Sequence, residues 1–115
     1  MHYFRLISVV MLMAMSASIS ATSDDIDTTV ERIAALPVDA DYGEYLAGEC
    51  LTCHGVEQSE GVPRISGVDK THLISELIKF QNGTRDNPTM SSIAKALGEE
   101  EIASLAEHFS NLVNE

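Results

Sequence analysis

Tryptophan is absent from this 115-residue chain, and other bulky aromatics are scarce: three Phe and three Tyr, of which Tyr3 and Phe4 fall in the first five residues. Cysteine occurs only at Cys50 and Cys53, three positions apart, which excludes a disulfide framework. Seven bases stand against 18 acids, a formal charge of −11. That balance excludes nucleic acid as a partner, because no basic face exists to displace counterions. No stretch alternates as a strand does, and there is no internal repeat. A small domain with so little aromatic bulk usually relies on disulfides, a metal or a cofactor. With the first excluded, something other than side chains is expected to complete the core.

The opening residues have the character of an address rather than of structure. Arg5 precedes an apolar run, Leu6 to Ala17, and "SISATS" supplies the small residues of a cleavage site near Ala21. The run is short of the ~20 residues that a bilayer span needs. Residues 1–21 are therefore expected to be a secretory signal peptide and the protein periplasmic, with no membrane span in the mature chain. Their removal leaves 94 residues and, since Arg5 is lost, a charge of −12.

Residues 22–38 read as an N-terminal extension, and residues 39–115 as the domain proper. Within the extension, Ile26, Val30, Ile33 and Ala34 share one face of a short amphipathic helix ended by Pro37, the alternative being a solvated linker. In "DADYGEYLAGECLTCHG", Asp39 or Asp41 can cap a helix that runs into the cysteines. Its Gly43 and Gly48 suggest that a backbone or a flat group packs closely there. "VEQSEGVPRISGVDK" is a loop. "THLISELIKFQNG" is a helix capped at Thr71, with Leu73, Leu77, Ile78 and Phe80 inward and "NG" as its stop. "TRDNPTMSSIAKALG" is a second loop ending in helical turns around Ser92 to Leu97. In "EEEIASLAEHFSNLV", Ile102, Leu105, Ala106, Phe109 and Leu112 fall on one face, behind three glutamates that suit a helix N-terminus. The fold class is all-α.

The informative stretch is "CLTCHG", for which three chemistries compete. A thioredoxin-type dithiol needs a helix N-terminus on a βαβ scaffold, whereas this motif ends a helix and no strand precedes it. A zinc site needs four ligands, and Cys50, Cys53 and His54 crowd three into one turn, leaving His72 or His108 as a strained fourth. Covalent haem attachment fits better. Cysteines at i and i+3 share a helical face from which both sulfurs can form thioethers to one porphyrin, and His54 then projects at the iron. The expected cofactor is one covalently attached haem c.

From about Asp41 to Leu112 the chain resembles a class I cytochrome c, of the small bacterial periplasmic type that includes the haem subunits of flavocytochrome c sulfide dehydrogenases. "CLTCHG", "GVPRISG", "ELIKFQNGTRDNPTM" and "EEEIASLAEHFSNL" carry the resemblance. It implies three main helices and short turns wrapped round a haem, with Cys50 and Cys53 as attachment points and His54 as proximal ligand. It further implies that the Pro63 carbonyl accepts the imidazole N–H and that Arg85 meets a propionate. The first and last helices would cross near the haem edge, through Gly43 and Leu46 against Leu105, Ala106 and Phe109. The spacer between Gly55 and Pro63 is short for the family, and residues 24–36 have no counterpart in its minimal domain.

Met90 is the sole methionine beyond the leader, follows His54 by 36 residues and sits among polar neighbours after Pro88. A core gap-filler would have apolar neighbours, so Met90 is the expected sixth ligand, ahead of His72 and His108, which read as exposed helix residues. His/Met ligation leaves no open position and suits outer-sphere transfer. The expected function is a one-electron carrier with no catalysis of its own, between a donor dehydrogenase or flavoprotein and an acceptor oxidase or other cytochrome. A tightly bound cytochrome subunit of an oxidoreductase, such as a sulfide-oxidising flavocytochrome, is the first alternative; a gas-sensing or peroxidase-like haem protein would need a labile Met90. Residues 61–95 carry five bases against three acids, which predicts an electropositive window in an acidic body.

Overall fold

The computed structural model describes residues 23–55 and 60–112. Among these residues there are five α-helices and no strand: α1 Ser23–Ala34, α2 Ala40–His54, α3 Lys70–Gln81, α4 Pro88–Lys95 and α5 Glu99–Asn111. None of the described helices is long and apolar enough to cross a membrane. The expected leader lies outside the described residues.

The segment read as either a helix or a linker is helical, and it is part of the core. Val30 and Ile33 of α1 are buried with Ile74 and Ile78 of α3 and Ile102, Ala103 and Ala106 of α5. Ile33, Ile74 and Ile102 are the largest side chains with no exposure. This aliphatic cluster accounts for much of the interior that the aromatic-poor composition left open. At the surface, Arg32 donates through two nitrogens to the Glu99 carboxylate, and the Lys70 ammonium donates to the Ala34 carbonyl at 3.3 Å. These contacts fasten α1 to the heads of α5 and α3.

Each helix start has a local cause. Asp39 is the cap of α2, its carboxylate accepting the Tyr42 N–H at 3.0 Å. On α3 the cap is Asp69 rather than Thr71. Its carboxylate accepts both the His72 N–H, at 3.0 Å, and the Thr71 hydroxyl, at 2.6 Å, so Thr71 serves the cap from inside the first turn. Helix α4 begins at Pro88, several residues before the turns expected from sequence. Asn87 caps it by accepting the Met90 N–H at 3.0 Å, and Pro88 occupies the first turn, where its missing N–H costs nothing.

Among the described residues, helix α2 packs chiefly on α5 and α4 on α3, while α3 and α5 pack on each other and both hold α1. The α2–α5 crossing is close because of Gly43. A Cβ there would stand 2.6 Å from the Ser104 carbonyl oxygen and 3.4 Å from the His108 Cβ. The crossing partners of Gly43 are thus Ser104 and His108, one turn face away from the expected Leu105, Ala106 and Phe109. The expected Leu46 does pack against Leu105 and Phe109, in a second cluster built with Ala47 of α2, while Ala106 belongs to the aliphatic one. Gly48, by contrast, faces open space.

Candidate haem-attachment site

Helix α2 delivers all three residues of the motif from its last turns. Cys50 is half-buried, packed against the cluster of Ala47, Leu105 and Phe109, whereas Cys53 is exposed on the next turn. They form no disulfide with each other. Burial pushes the Cys50 thiol pKa up, and the neighbouring Glu49 carboxylate adds to the effect. A redox dithiol needs the opposite, a stabilised thiolate at a helix N-terminus, so the environment disfavours thioredoxin-type chemistry. Gly55 ends the helix, and a Cβ at this position would strike the Leu51 carbonyl oxygen at 2.7 Å.

His54 Nδ1 lies 2.6 Å from the carbonyl oxygen of Pro63. A carbonyl only accepts, so Nδ1 carries the hydrogen and donates, and Nε2 is left with its lone pair outward. This is the tautomer that a metal-binding imidazole needs, held by a backbone partner as metal-bound histidines commonly are. The loop that places Pro63 is itself secured: the Gly67 N–H donates to the Phe109 carbonyl at 2.8 Å, and Ile65 packs beside Cys50's cluster. Two thiols on one helix face, with an oriented imidazole next to them, fit a covalently attached haem. Among the described residues no group of three or more His, Cys, Asp or Glu side chains forms a metal cage.

Met90 stands half-buried in the first turn of α4, not in a polar loop. Two residues hold its helix. Asn87 caps the start, and Gln81 reaches from the end of α3 to donate to the carbonyls of Ala94 at 2.7 Å and Leu97 at 3.0 Å. His54 and Met90 belong to α2 and α4, which do not pack on each other. Arg85 pairs with Glu76 and lies 4.9 Å from the centre of the Phe80 ring. Glu76 also accepts from Lys79 at 3.0 Å. Burial alone would raise the Glu76 carboxyl pKa, but the hydrogen bonds from Lys79 and Arg85 outweigh it and hold it below the ordinary range. His72 is exposed at the start of α3, and His108 is half-buried edge-on to Phe109.

Sequence reasoning did not single out Gln81, Asn87 or Ser104. Asn87 had a readable signal, an Asn–Pro pair before a helical run. Gln81 had none, since its two acceptors are carbonyls that any sequence would supply.

No family model matches the chain. Curated relatives do. The cytochrome subunit of sulfide dehydrogenase of Chlorobaculum tepidum is 38% identical over 81 residues, which cover 69% of this chain and 74% of that protein. The chain belongs to the small class I cytochromes c. Cytochrome c-554(548) of Halomonas halodenitrificans is 31% identical over 80 residues, 64% of this cytochrome and 95% of the relative. The thiosulfate dehydrogenase electron acceptor of Thiomonas intermedia is 34% identical over 70 residues, and that match spans only 32% of its length. Membership implies haem c as the cofactor and electron transfer, as a carrier or as the cytochrome subunit of an oxidoreductase, as the activity.

Proposed function

We propose that this cytochrome is a periplasmic one-electron carrier with a single haem, attached through Cys50 and Cys53 and ligated by His54 and Met90. The observation that carries the reading is the 2.6 Å contact from His54 Nδ1 to the Pro63 carbonyl, directly after the paired thiols. When bound, haem c supplies a one-electron ferric/ferrous couple. Cys50 and Cys53, one helical turn apart, fix its attachment. Pro63 holds the His54 ring in the tautomer that directs Nε2 at a metal. Met90, on a helix secured by Asn87 and Gln81, would supply a thioether ligand to the iron, which favours the reduced state. Arg85 has donors to spare after pairing with Glu76, so a propionate is a compatible further partner. Export rests on the leader-like residues 1–21, with residues 22–38 as an extension of the domain.

A second reading, a fixed subunit of a sulfide-oxidising flavocytochrome, is favoured by the similarity to a sulfide dehydrogenase cytochrome subunit across 74% of that protein. Gel filtration of the native periplasmic extract separates the two: a carrier elutes near its own mass, a subunit with a flavoprotein.

Met90→Ala tests the ligand set. The ferric wild type should show the weak long-wavelength band of thioether-ligated haem and the ferrous form should resist carbon monoxide. The variant should lose the band, bind carbon monoxide and fall in reduction potential, while His72→Ala and His108→Ala leave the spectrum alone. An unchanged ferric spectrum in Met90→Ala refutes the carrier assignment.

A further inference from the structure

Tyr42 and Tyr45, the tyrosines outside the leader, both point away from the core. Tyr45 is 78% exposed and Tyr42 42%, and their rings stack 6.4 Å apart and 13° from parallel. In a chain so poor in aromatics, two large rings kept on the surface are poorly used unless they meet something, and exposed tyrosine is a favoured anchor at protein interfaces. Beside them, Leu36, Tyr42 and Gly98 line an open groove of about 460 Å³ together with Glu99, Glu100 and Glu101. Arg32 occupies Glu99. Among the described residues no salt bridge engages Glu100 or Glu101, nor Asp41, Glu44 and Glu49, exposed on the same helix as the tyrosines.

Three of the five bases expected to form an electropositive window between residues 61 and 95 are held in ion pairs. Lys70 bridges Glu107 at 2.9 Å, Lys79 bridges Glu76 at 3.0 Å, and Arg85 bridges the same Glu76. The net charge of this molecule is negative, and carboxylates outside any described ion pair flank the tyrosines on α2 and at the head of α5. We propose that the tyrosine-and-acid face of α2 and the head of α5 docks a partner protein through a lysine- or arginine-rich segment. Its cations lie over the Tyr42 and Tyr45 rings, where the ring faces attract them, with carboxylates of α2 and α5 on either side. A second copy of this chain or an anionic membrane would bring like charge to like charge.

The face also leads toward the haem-attachment site. Tyr42, Tyr45, Glu49 and Cys53 are all exposed and succeed one another at spacings of three, four and four, one stripe along α2. At 1.5 Å per residue, Tyr45 and Cys53 are about 12 Å apart along the axis. A partner seated on the tyrosines thus reaches the Cys53 end of the helix. Only this last step rests on the proposed role of Cys53.

The test is chemical-shift mapping on the isotope-labelled, haem-loaded protein, with a short capped peptide alternating lysine and leucine as the probe. Shifts should centre on Tyr42, Tyr45, Glu49, Glu100 and Glu101 and weaken with salt. Binding should fall about tenfold in Tyr45→Ala and in the Glu100→Gln/Glu101→Gln double variant, and survive in Tyr45→Phe. The glutamate-for-lysine peptide should not bind. Shifts centred on Arg64 and Lys95, or binding indifferent to Tyr45→Ala, overturn the proposal. So does self-association in sedimentation through the same amides, or uptake by vesicles of anionic lipid. If peptide binding holds while the Met90→Ala spectrum fails its test, the docking face stands and the ligand assignment falls; the reverse result removes only the docking face.

Discussion

Gly43→Ala, set beside Gly48→Ala, isolates the cost of one close helix crossing. Both glycines lie inside α2, and alanine at either gains roughly 1 kcal/mol of helix propensity. Only at position 43 does the new methyl collide, 2.6 Å from the Ser104 carbonyl oxygen and 3.1 Å from its carbon, while at position 48 it meets nothing within 4 Å. The obstacle is backbone rather than the tip of a flexible side chain, so relief requires α2 and α5 to separate. Overpacking of this kind costs about 1–3 kcal/mol. Ser104 is 4% exposed, and its hydroxyl accepts the Asp39 N–H at 3.4 Å, so a shift there also disturbs the cap of α2. Because propensity cancels between the variants, the stability of Gly43→Ala should lie below that of Gly48→Ala by the whole packing cost, about 1–3 kcal/mol. Gly48→Ala itself should be at least as stable as the wild type. Denaturant titration of the haem-loaded proteins, followed by far-ultraviolet circular dichroism, reads the difference as a shift in midpoint at constant slope. Equal midpoints for the two variants would refute the crossing as described.

Ile33→Ala should cost about 2–5 kcal/mol in the same titration, because Ile33 is fully buried where α1 meets α3 and α5; a loss under about 0.5 kcal/mol would mean that α1 is a dispensable appendage. For Glu76, whose folded pKa is depressed, the stabilisation is present above its unfolded value of about 4.3 and lost as pH falls through the folded one. The stability gap between wild type and Glu76→Gln should therefore be level near neutrality and close in acid, and a gap that persists unchanged well below the folded pKa contradicts the pairing with Lys79 and Arg85. Gln81→Leu removes both donors to the Ala94 and Leu97 carbonyls and should cost about 1–3 kcal/mol, with amide exchange in α4 accelerating more than in α1; uniform acceleration would mean that Gln81 does not hold α4 in particular.

What could be read from the sequence follows from how local each cause is. The apolar spacing of α1 and α5 named their buried faces, because one helix presents one stripe whatever it packs on. The cysteine motif pointed to haem c, the cofactor that family membership implies, because its spacing lies within a single turn. Other outcomes turn on which of several groups comes nearest. Thr71 suits a cap, but Asp69 takes the role and accepts both the His72 N–H and the Thr71 hydroxyl. The α2–α5 crossing expected through Gly43 and Leu46 forms in part, since Leu46 packs on the cluster with Leu105 and Phe109, but Gly43 meets the backbone that comes nearest, that of Ser104. Charge counting could not tell that Glu107, outside the expected positive window, reaches Lys70, nor that Glu76 takes both Lys79 and Arg85.

The packing order gives this cytochrome a division of labour. The aliphatic cluster of α1, α3 and α5 contains no residue of α2 or α4 among its buried members. Helix α2 joins through α5 and the Ala47–Leu105–Phe109 cluster, and α4 joins through α3 and the Gln81 side chain. The residues proposed to hold the cofactor therefore stand at element ends: His54 closes α2, Met90 sits in the first turn of α4, and Pro63 lies in a loop tied to Phe109. Element ends are where backbone carbonyls and caps are free to orient a side chain, and a separate rigid core keeps those ends in place. An electron carrier needs that arrangement more than an enzyme with a moving substrate does. Its ligands must keep one geometry in both oxidation states, and the two proposed ligands stand at ends held by hydrogen bonds: the Pro63 carbonyl accepts from His54, and the Asn87 side chain accepts the Met90 N–H.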